Sequence, residues 1–230
     1  MDIRRVEHPL VRRAAEGLHN FNSRHPWSHN DHFHRWILSN LPRHRGTAID
    51  IGCGQGGLVA KLAPRFTHVR GTDLDAGMRA EASRRCAGLT NVTIEDGQLG
   101  QLDGPVDLIT MVAVLHHLDV EQALTEVKRL LAPGGRFLVV GLAAPLSARD
   151  TMWDLASAVT NPLIGLIKHP RPAPAGPVPP PFPVRDPKLS FDQLRAVVGK
   201  VMPGAEMRRR LAFRHTISWT SDQSSMAGSK

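Results

Sequence analysis

Short apolar runs alternate with segments of helical spacing from residue 47 to about residue 141. Runs such as TAIDIG and PVDLITMVAVL have the length and the β-branched content of buried strands. DVEQALTEVKRLLA, at 119–132, predicts a helix, which PGG should end before a fifth strand, RFLVVGLA. Because strands joined through helices pair in parallel, this order predicts an α/β core over residues 47–145, with helices on both faces of the sheet.

The segments on either side of this core predict different structures. Residues 1–46 are predicted to form an N-terminal helical lid. Residues 146–188 combine an amphipathic helical stretch with a run that holds half of the chain's 18 prolines, and we expect them to form a wall of the substrate pocket. Residues 189–220 predict a helix and a strand pair that complete the core. The polar tail, 221–230, is expected to be disordered.

The composition bears on partners and compartment. A net charge of +8 and a pI near 10.5 favour an anionic partner. The arginines are scattered, however, and with no Tyr, seven Phe and four Trp the chain offers few stacking platforms, which argues against nucleic acid. Two cysteines indicate a reducing compartment. Without a leader pattern or a long apolar run, we expect a soluble, cytoplasmic protein with no membrane partner.

A glycine-rich loop, AIDIGCGQGG, links the first predicted strand to the first core helix. Gly52, Gly54 and Gly56 allow a sharp turn and let a ligand approach the backbone. The same string fits a dinucleotide-binding spacing through Gly52, Gly54 and Gly57. The glycines therefore predict an anion- or nucleotide-binding turn without selecting the cofactor.

Carboxylates follow three successive predicted strands. Asp50 lies just before the glycine loop, Asp73 is in GTDLD, and Asp96 is in EDGQ. Asp50 suits a cofactor that carries a cation, Asp73 can accept both ribose hydroxyls, and Asp96 can accept from an exocyclic amine. Together they predict a ligand with a cationic centre, a ribose and an adenine.

The sequence here resembles the class I S-adenosylmethionine-dependent methyltransferases. The matching strings are AIDIGCGQG, GTDLDAGM, EDGQLGQL, VDLITMVAVLHHL and LLAPGGRFLVV, in family order and at family spacing. The resemblance implies S-adenosylmethionine as cofactor. It also implies a Rossmann-like sheet of seven strands with the last one antiparallel, here with a helical, Pro-rich insert after strand five.

The same resemblance implies the cofactor-binding residues. The loop residues Gly52, Cys53 and Gly54 would pass under the methionine part, and Asp50 would act through this loop. Asp73 would hold the ribose. Asp96 and Gly97 would contact the edge of the adenine, with Leu74 and Leu99 on the faces of its ring. The backbone near Met111 and Val112 would bind the amino group.

The residues after strand four indicate the type of acceptor. LHHL resembles the subgroup that methylates small molecules, and the chain lacks NPPY, DPPY and a Pro-Cys nucleophile. We therefore expect methylation of O or N of a small-molecule metabolite, in secondary metabolism. An RNA methyltransferase, a nicotinamide-dependent oxidoreductase and a non-catalytic binding module are the alternatives.

The histidine-rich run HPWSHNDHFHRW predicts a helix from about residue 29 to residue 40. Phe33, Trp36, Ile37 and Leu41 fall on its apolar face with His29, whereas His32 lies on the edge and His34 points about 160° away from His32. Imidazoles in these directions cannot share one ion, so no metal site is predicted. The candidate catalytic residues are His29 and His116, and the candidate acceptor contacts are Trp36, Met152 and Trp153.

Overall fold

The computed structural model describes residues 29–147, 150, 152–153, 157, 160 and 186–222. Within these ranges the chain forms five helices and seven strands. The helices are α1 (His29–Ser39), α2 (Gly57–Leu62), α3 (Ala76–Cys86), α4 (Val120–Leu130) and α5 (Phe191–Val201). The strands are β1 (Thr47–Ile51), β2 (His68–Thr72), β3 (Val92–Glu95), β4 (Val106–Val112), β5 (Leu131–Gly141), β6 (Glu206–Arg210) and β7 (Arg214–Thr220).

All seven strands form one sheet, in the order β3-β2-β1-β4-β5-β7-β6. β1 to β5 are parallel, and β7 pairs antiparallel with both β5 and β6. This topology confirms the predicted Rossmann-like sheet with its antiparallel last strand. Because the carboxyl ends of the parallel strands share one edge, the loops that follow them meet there.

Two apolar layers cover the sheet. On one face, α4 and α5 pack on sheet residues such as Phe137 and Ile217, and α4 contributes Leu124 to this layer. On the other face, α1, α2 and α3 pack on sheet residues such as Leu138, and α2 contributes Val59 to this layer. Each fully buried side chain of this size contributes about 1.5–3 kcal/mol through burial. The sheet is thus a rigid base for the residues at its edge.

Helix α1 buries the predicted apolar face and one histidine beside it. Phe33 and Ile37 are buried as expected, but His34 is also buried and His32 is exposed. Lys61 in α2 donates to His34 Nδ1 at 2.9 Å. Burial, and then the Lys61 charge, lower the pKa of His34 to about 4. His32 and His34 thus point in opposite directions, as predicted, and it is His34 that faces the protein interior.

The helix before β5 ends earlier than its sequence indicates. α4 stops at Leu130 and β5 begins at Leu131, so the strand runs through PGG, with Gly134 at a φ of 77°. The predicted helix and strand pair near the C-terminus correspond to α5, β6 and β7. No helix of the described residues is both long and apolar enough to cross a membrane.

Several predicted segments lie outside the described residues. They are the lid before residue 29, most of the insert at 146–188 and the tail from residue 223.

Candidate active site at the carboxyl edge of the sheet

The glycine loop turns through left-handed backbone between β1 and α2. Gly52, Gly54 and Gly56 have φ angles of 67°, 52° and 74°. Only glycine adopts such angles without steric cost. Gly57 does not share this geometry and is the first residue of α2. The turn therefore uses the first three glycines and not the dinucleotide spacing that includes Gly57.

These glycines differ in the space around them. A Cβ on Gly52 would lie 2.3 Å from Cγ2 of Val114, and one on Gly56 would lie 3.0 Å from Ala82. A Cβ on Gly54 would meet nothing within 4 Å. Gly52 and Gly56 are thus required by the packing of the protein itself, whereas Gly54 leaves open space for a ligand.

Asp73 connects the end of β2 to this open position. Its Oδ2 accepts from the Gly54 N–H at 2.8 Å, and its Oδ1 accepts from the Asp75 N–H at 2.9 Å. An ionised carboxylate has about four acceptor positions, so both oxygens keep one for a ligand. The neighbouring Leu74 is 67% exposed and presents an apolar surface beside them.

Arg79 links the loops after β2 and β3, and the sequence reasoning did not identify it. Its Nη1 donates to the carbonyls of Asp73 at 2.8 Å and Leu74 at 2.9 Å. Its Nη2 lies 3.4 Å from Oδ2 of Asp96, whose side chain is exposed. The guanidinium thereby fixes both loops. The available signal was its place in the first turn of α3, six residues after Asp73.

The remaining predicted cofactor residues occupy both exposed and buried positions. A Cβ on Gly97 would have ordinary contacts at 3.5 Å or more, so this backbone is not crowded. Leu99 is buried below the loop, and Cys53 is buried within it. Met111 is fully buried in β4, and Val112 is half-buried.

Asp50 lies below the edge and does not reach its surface. The carboxyl is 2% exposed, and Thr110 donates to its Oδ1 at 2.6 Å. Burial raises the pKa of Asp50 to about 7, against the opposing effect of the Thr110 hydrogen bond, and the charge of Asp73 raises it further. Of the three predicted carboxylates, those of Asp73 and Asp96 are accessible at the edge, whereas that of Asp50 is buried.

β4 ends in a strained turn that carries two histidines to the same edge. Ala113 has a φ of 59°, which is unusual for a residue with a Cβ. Its N–H donates to the carbonyl oxygen of Val140 at 2.7 Å. Beyond it, the rings of His116 and His117 lie 4.0 Å apart. Burial, then the charges of His117 and Arg214, lower the pKa of His116 to about 4.

A cavity of about 420 Å³ adjoins these histidines on the side of α4 and α5. It lies beside the ends of β4, β5 and β7, apart from the glycine loop. Its lining includes His116, His117, Gly141, Leu142, Leu194 and His215.

The predicted acceptor contacts lie elsewhere. Trp36 is half-buried in α1 against the apolar layer of that face. The Trp153 indole donates to the carbonyl of Arg210 at 2.7 Å, and Met152 is exposed. None of the three lines the cavity. The side chain of His29 lies outside the described residues.

Metal binding has no visible site in the part of the chain that the structure describes. No group of three or more His, Cys, Asp or Glu side chains there is arranged to hold an ion.

Known proteins resemble this chain in sequence and in fold. The family described as "Methyltransferase domain" matches residues 49–139. An uncharacterized methyltransferase of Mycobacterium bovis is 32% identical over 204 residues, which cover 84% of this chain and 96% of that protein. Trans-aconitate 2-methyltransferase of Deinococcus radiodurans is 34% identical over 116 residues, 49% of this chain and 43% of that protein.

A solved structure extends the likeness to the fold. Magnesium protoporphyrin IX methyltransferase from Synechocystis, with bound S-adenosylhomocysteine, is 17% identical and superposes with a TM-score of 0.54, over 94% of this chain and 90% of that one. The sheet and these relatives define a methyltransferase. The chain belongs to the class I S-adenosylmethionine-dependent methyltransferases, and S-adenosylmethionine is its cofactor.

Proposed function

We propose that this enzyme transfers a methyl group from S-adenosylmethionine to an oxygen or nitrogen of a small-molecule metabolite. The observation that carries the cofactor site is the open space at Gly54, which Asp73 and Leu74 border. Asp73 would hold the ribose, Asp96 and Gly97 the adenine edge, and Leu74 a face of the ring. Gly52, Cys53 and Gly54 would pass under the methionine part, near the backbone of Met111 and Val112.

The chain's own residues mainly have to align the acceptor and exclude water. The bound cofactor supplies a methyl group that its sulfonium already activates. Alignment of the two reactants removes much of the entropic barrier to transfer. With a pKa near 4, His116 is neutral at pH 7 and a weak base, so we propose that it orients the acceptor by hydrogen bonding. His29 remains our candidate for the base where the acceptor must lose a proton.

A small acceptor is supported by the size of the cavity and by the relatives. A volume of about 420 Å³ is in the range of small-molecule pockets. The name of the Deinococcus relative specifies a small organic acid as acceptor. Both described cysteines are free, which suits the cytoplasm. The charge of +8 keeps RNA as the alternative acceptor.

Calorimetric titration with S-adenosylhomocysteine tests the assigned cofactor residues. Asp73→Asn removes the ionised acceptor of the ribose hydroxyls and should weaken binding by about tenfold to a hundredfold, the usual effect of losing a charged hydrogen bond. Asp103→Asn, at an exposed position of the same charge, is the matched control and should bind normally. Equal affinities for the two variants would contradict the assignment of Asp73.

Salt dependence of methyl transfer separates the two acceptor classes. The purified enzyme is given labelled S-adenosylmethionine with either an extract of small metabolites or total RNA. For a small acceptor the KM should change by less than about threefold between 50 and 200 mM salt, since few counterions are released. Label found in RNA, with a KM that rises steeply with salt, would overturn the proposed acceptor class.

A further inference from the structure

An arginine without an acidic partner among the described residues directly precedes His215, which lines the cavity. Arg214, the first residue of β7, is half-buried, and burial lowers its pKa to about 10. Its Nη2 donates to Oδ1 of Asn30 at 3.1 Å, and its Nη1 donates to the carbonyl of Phe213 at 3.3 Å. Its Nε is buried with no hydrogen-bond partner, and no carboxylate of the described residues lies within ion-pair distance. Even a partly buried charge without a counter-ion carries a desolvation cost, which an anionic ligand would offset.

Arg209 on the neighbouring strand shows the contrast. Its guanidinium forms an ion pair with the buried Asp150, lies 3.7 Å from Asp192 and stacks 4.1 Å from the Phe191 ring centroid. Its charge is therefore neutralised within the protein. The charge of Arg214 is not, although the two residues stand on paired strands.

Two histidine nitrogens at the same edge also lack partners. Nδ1 of His116 and Nε2 of His215 are buried without hydrogen bonds. His215 is only 3% exposed, yet it lines the cavity and lies against Gly141, where a Cβ would be 2.4 Å from its Nε2. Either nitrogen of a neutral imidazole can carry the proton, so each ring can donate to an anion.

The acidic side chains at the cavity are already engaged. Asp119 accepts from the Gln122 N–H at 2.9 Å and caps α4. Glu121 pairs with Lys200 at 2.7 Å. The exposed Lys188 adds a further positive charge to the lining. The remainder of the lining is mainly apolar, with Leu115, Leu118, Leu142, Leu189, Leu194 and Val197.

We propose that the methyl acceptor is an organic acid with an apolar body, whose carboxylate binds to Arg214, His116 and His215 at the ends of β4 and β7. The apolar body would fill the adjoining cavity. This inference rests on the proposed function, because it specifies the acceptor of that same enzyme. The carboxylate is the recognition group, whichever atom of the acceptor receives the methyl group.

The test compares matched acids and amides on the wild-type enzyme. Cinnamate with cinnamamide, and trans-aconitate with its triamide, are titrated at millimolar concentration in the presence of saturating S-adenosylhomocysteine, with calorimetric detection. The acids should bind at least about tenfold more tightly than the amides, as a charged hydrogen-bond set requires. Equal binding of acids and amides, or no binding by any acid while S-adenosylhomocysteine binds normally, would overturn the proposal. Failure of S-adenosylhomocysteine itself to bind would instead contradict the cofactor site.

Variants assign the selectivity to Arg214. Arg214→Met should abolish the preference for acids and leave the affinity for S-adenosylhomocysteine unchanged, and Arg214→Lys should restore part of the preference. Arg208→Met makes the same charge change at an exposed arginine and should have no effect. Should Arg214→Met fail to fold, Arg214→Lys and the wild-type acid and amide series still decide the question. Selectivity that survives in a folded Arg214→Met enzyme would refute the assignment.

Discussion

At the scale of single residues, Asp50 has an unusual ionisation for a carboxyl group. Its pKa is raised from 3.8 to about 7 in the folded chain, because burial disfavours the charged form. Between these two values the folded state keeps a proton that the unfolded state releases. Stability from this group is thus fully present below about pH 4 and is lost as the pH rises toward 7.

Asp50→Asn should therefore stabilise the protein at neutral and alkaline pH. The amide keeps an oxygen for the Thr110 hydroxyl and carries no charge to desolvate. The expected gain over wild type is ~2–4 kcal/mol at pH 8, and it should shrink toward zero near pH 4. Urea unfolding of both proteins across this range measures it. A difference that does not vary with pH would show that Asp50 ionises normally in the folded state.

At the scale of elements, the glycine loop meets two separate requirements, close packing of the protein at Gly52 and open space for a ligand at Gly54. Gly52→Ala combines a left-handed φ with a clash on Val114, so it should cost more than the ~1–2 kcal/mol of backbone strain alone. Gly54→Ala meets no protein atom and should cost only that strain, yet it should abolish S-adenosylhomocysteine binding. Thermal unfolding and calorimetry on the two variants give both quantities.

A relief variant checks the source of the larger cost. Val114→Ala in the Gly52→Ala background removes the contacting methyl groups. It should restore the stability lost to the clash but not the stability lost to backbone strain. No recovery would mean that Val114 does not limit this turn.

The sequence was sufficient to predict the order of the strands and the edge of the sheet at which their loops meet. The strand periodicity, the glycines and the acids that follow β2 and β3 are local signals, each within one loop. The burial of His34 in α1 was not predictable in the same way. His34 is buried because Lys61 of α2 offers it a hydrogen bond, and a helical wheel contains no information on that neighbour. The early start of β5 likewise reflects pairing with β4 rather than local propensity.

At the scale of the whole molecule, buried histidines should control the response to acid. The pKa values of His34 and His116 are lowered from 6.5 to about 4, and that of His215 to about 3, with burial as the largest cause in each case. As the pH falls below 6.5, the histidines bind protons in the unfolded chain but not in the folded chain. Stability therefore falls between pH 6.5 and 4, partly offset by Asp50, which acts in the opposite direction.

Urea midpoints at several pH values between 7.5 and 4.5 should show this loss. His34→Gln and His215→Gln remove one such group each, and each should flatten the dependence. A midpoint that is constant from pH 6.5 to 5 would contradict the combined effect of the three histidines.

The cavity beside His116 was the part of the edge least accessible to sequence reasoning. It combines His116 after β4, Gly141 at the end of β5 and His215 at the start of β7. Their proximity depends on β7 pairing with β5, which brings together residues about a hundred positions apart. Trp36, Met152 and Trp153 were predicted from hydrophobicity alone, and none of them borders the cavity.

The place of β7 in the sheet also affects how the enzyme is made. β7 is the last described strand of the chain, yet it lies between β5 and β6 in the interior of the sheet. During synthesis the whole edge of β5 therefore stays unpaired until residues 214–220 have left the ribosome. Throughout that interval the nascent chain carries an open edge strand, which is a template for aggregation.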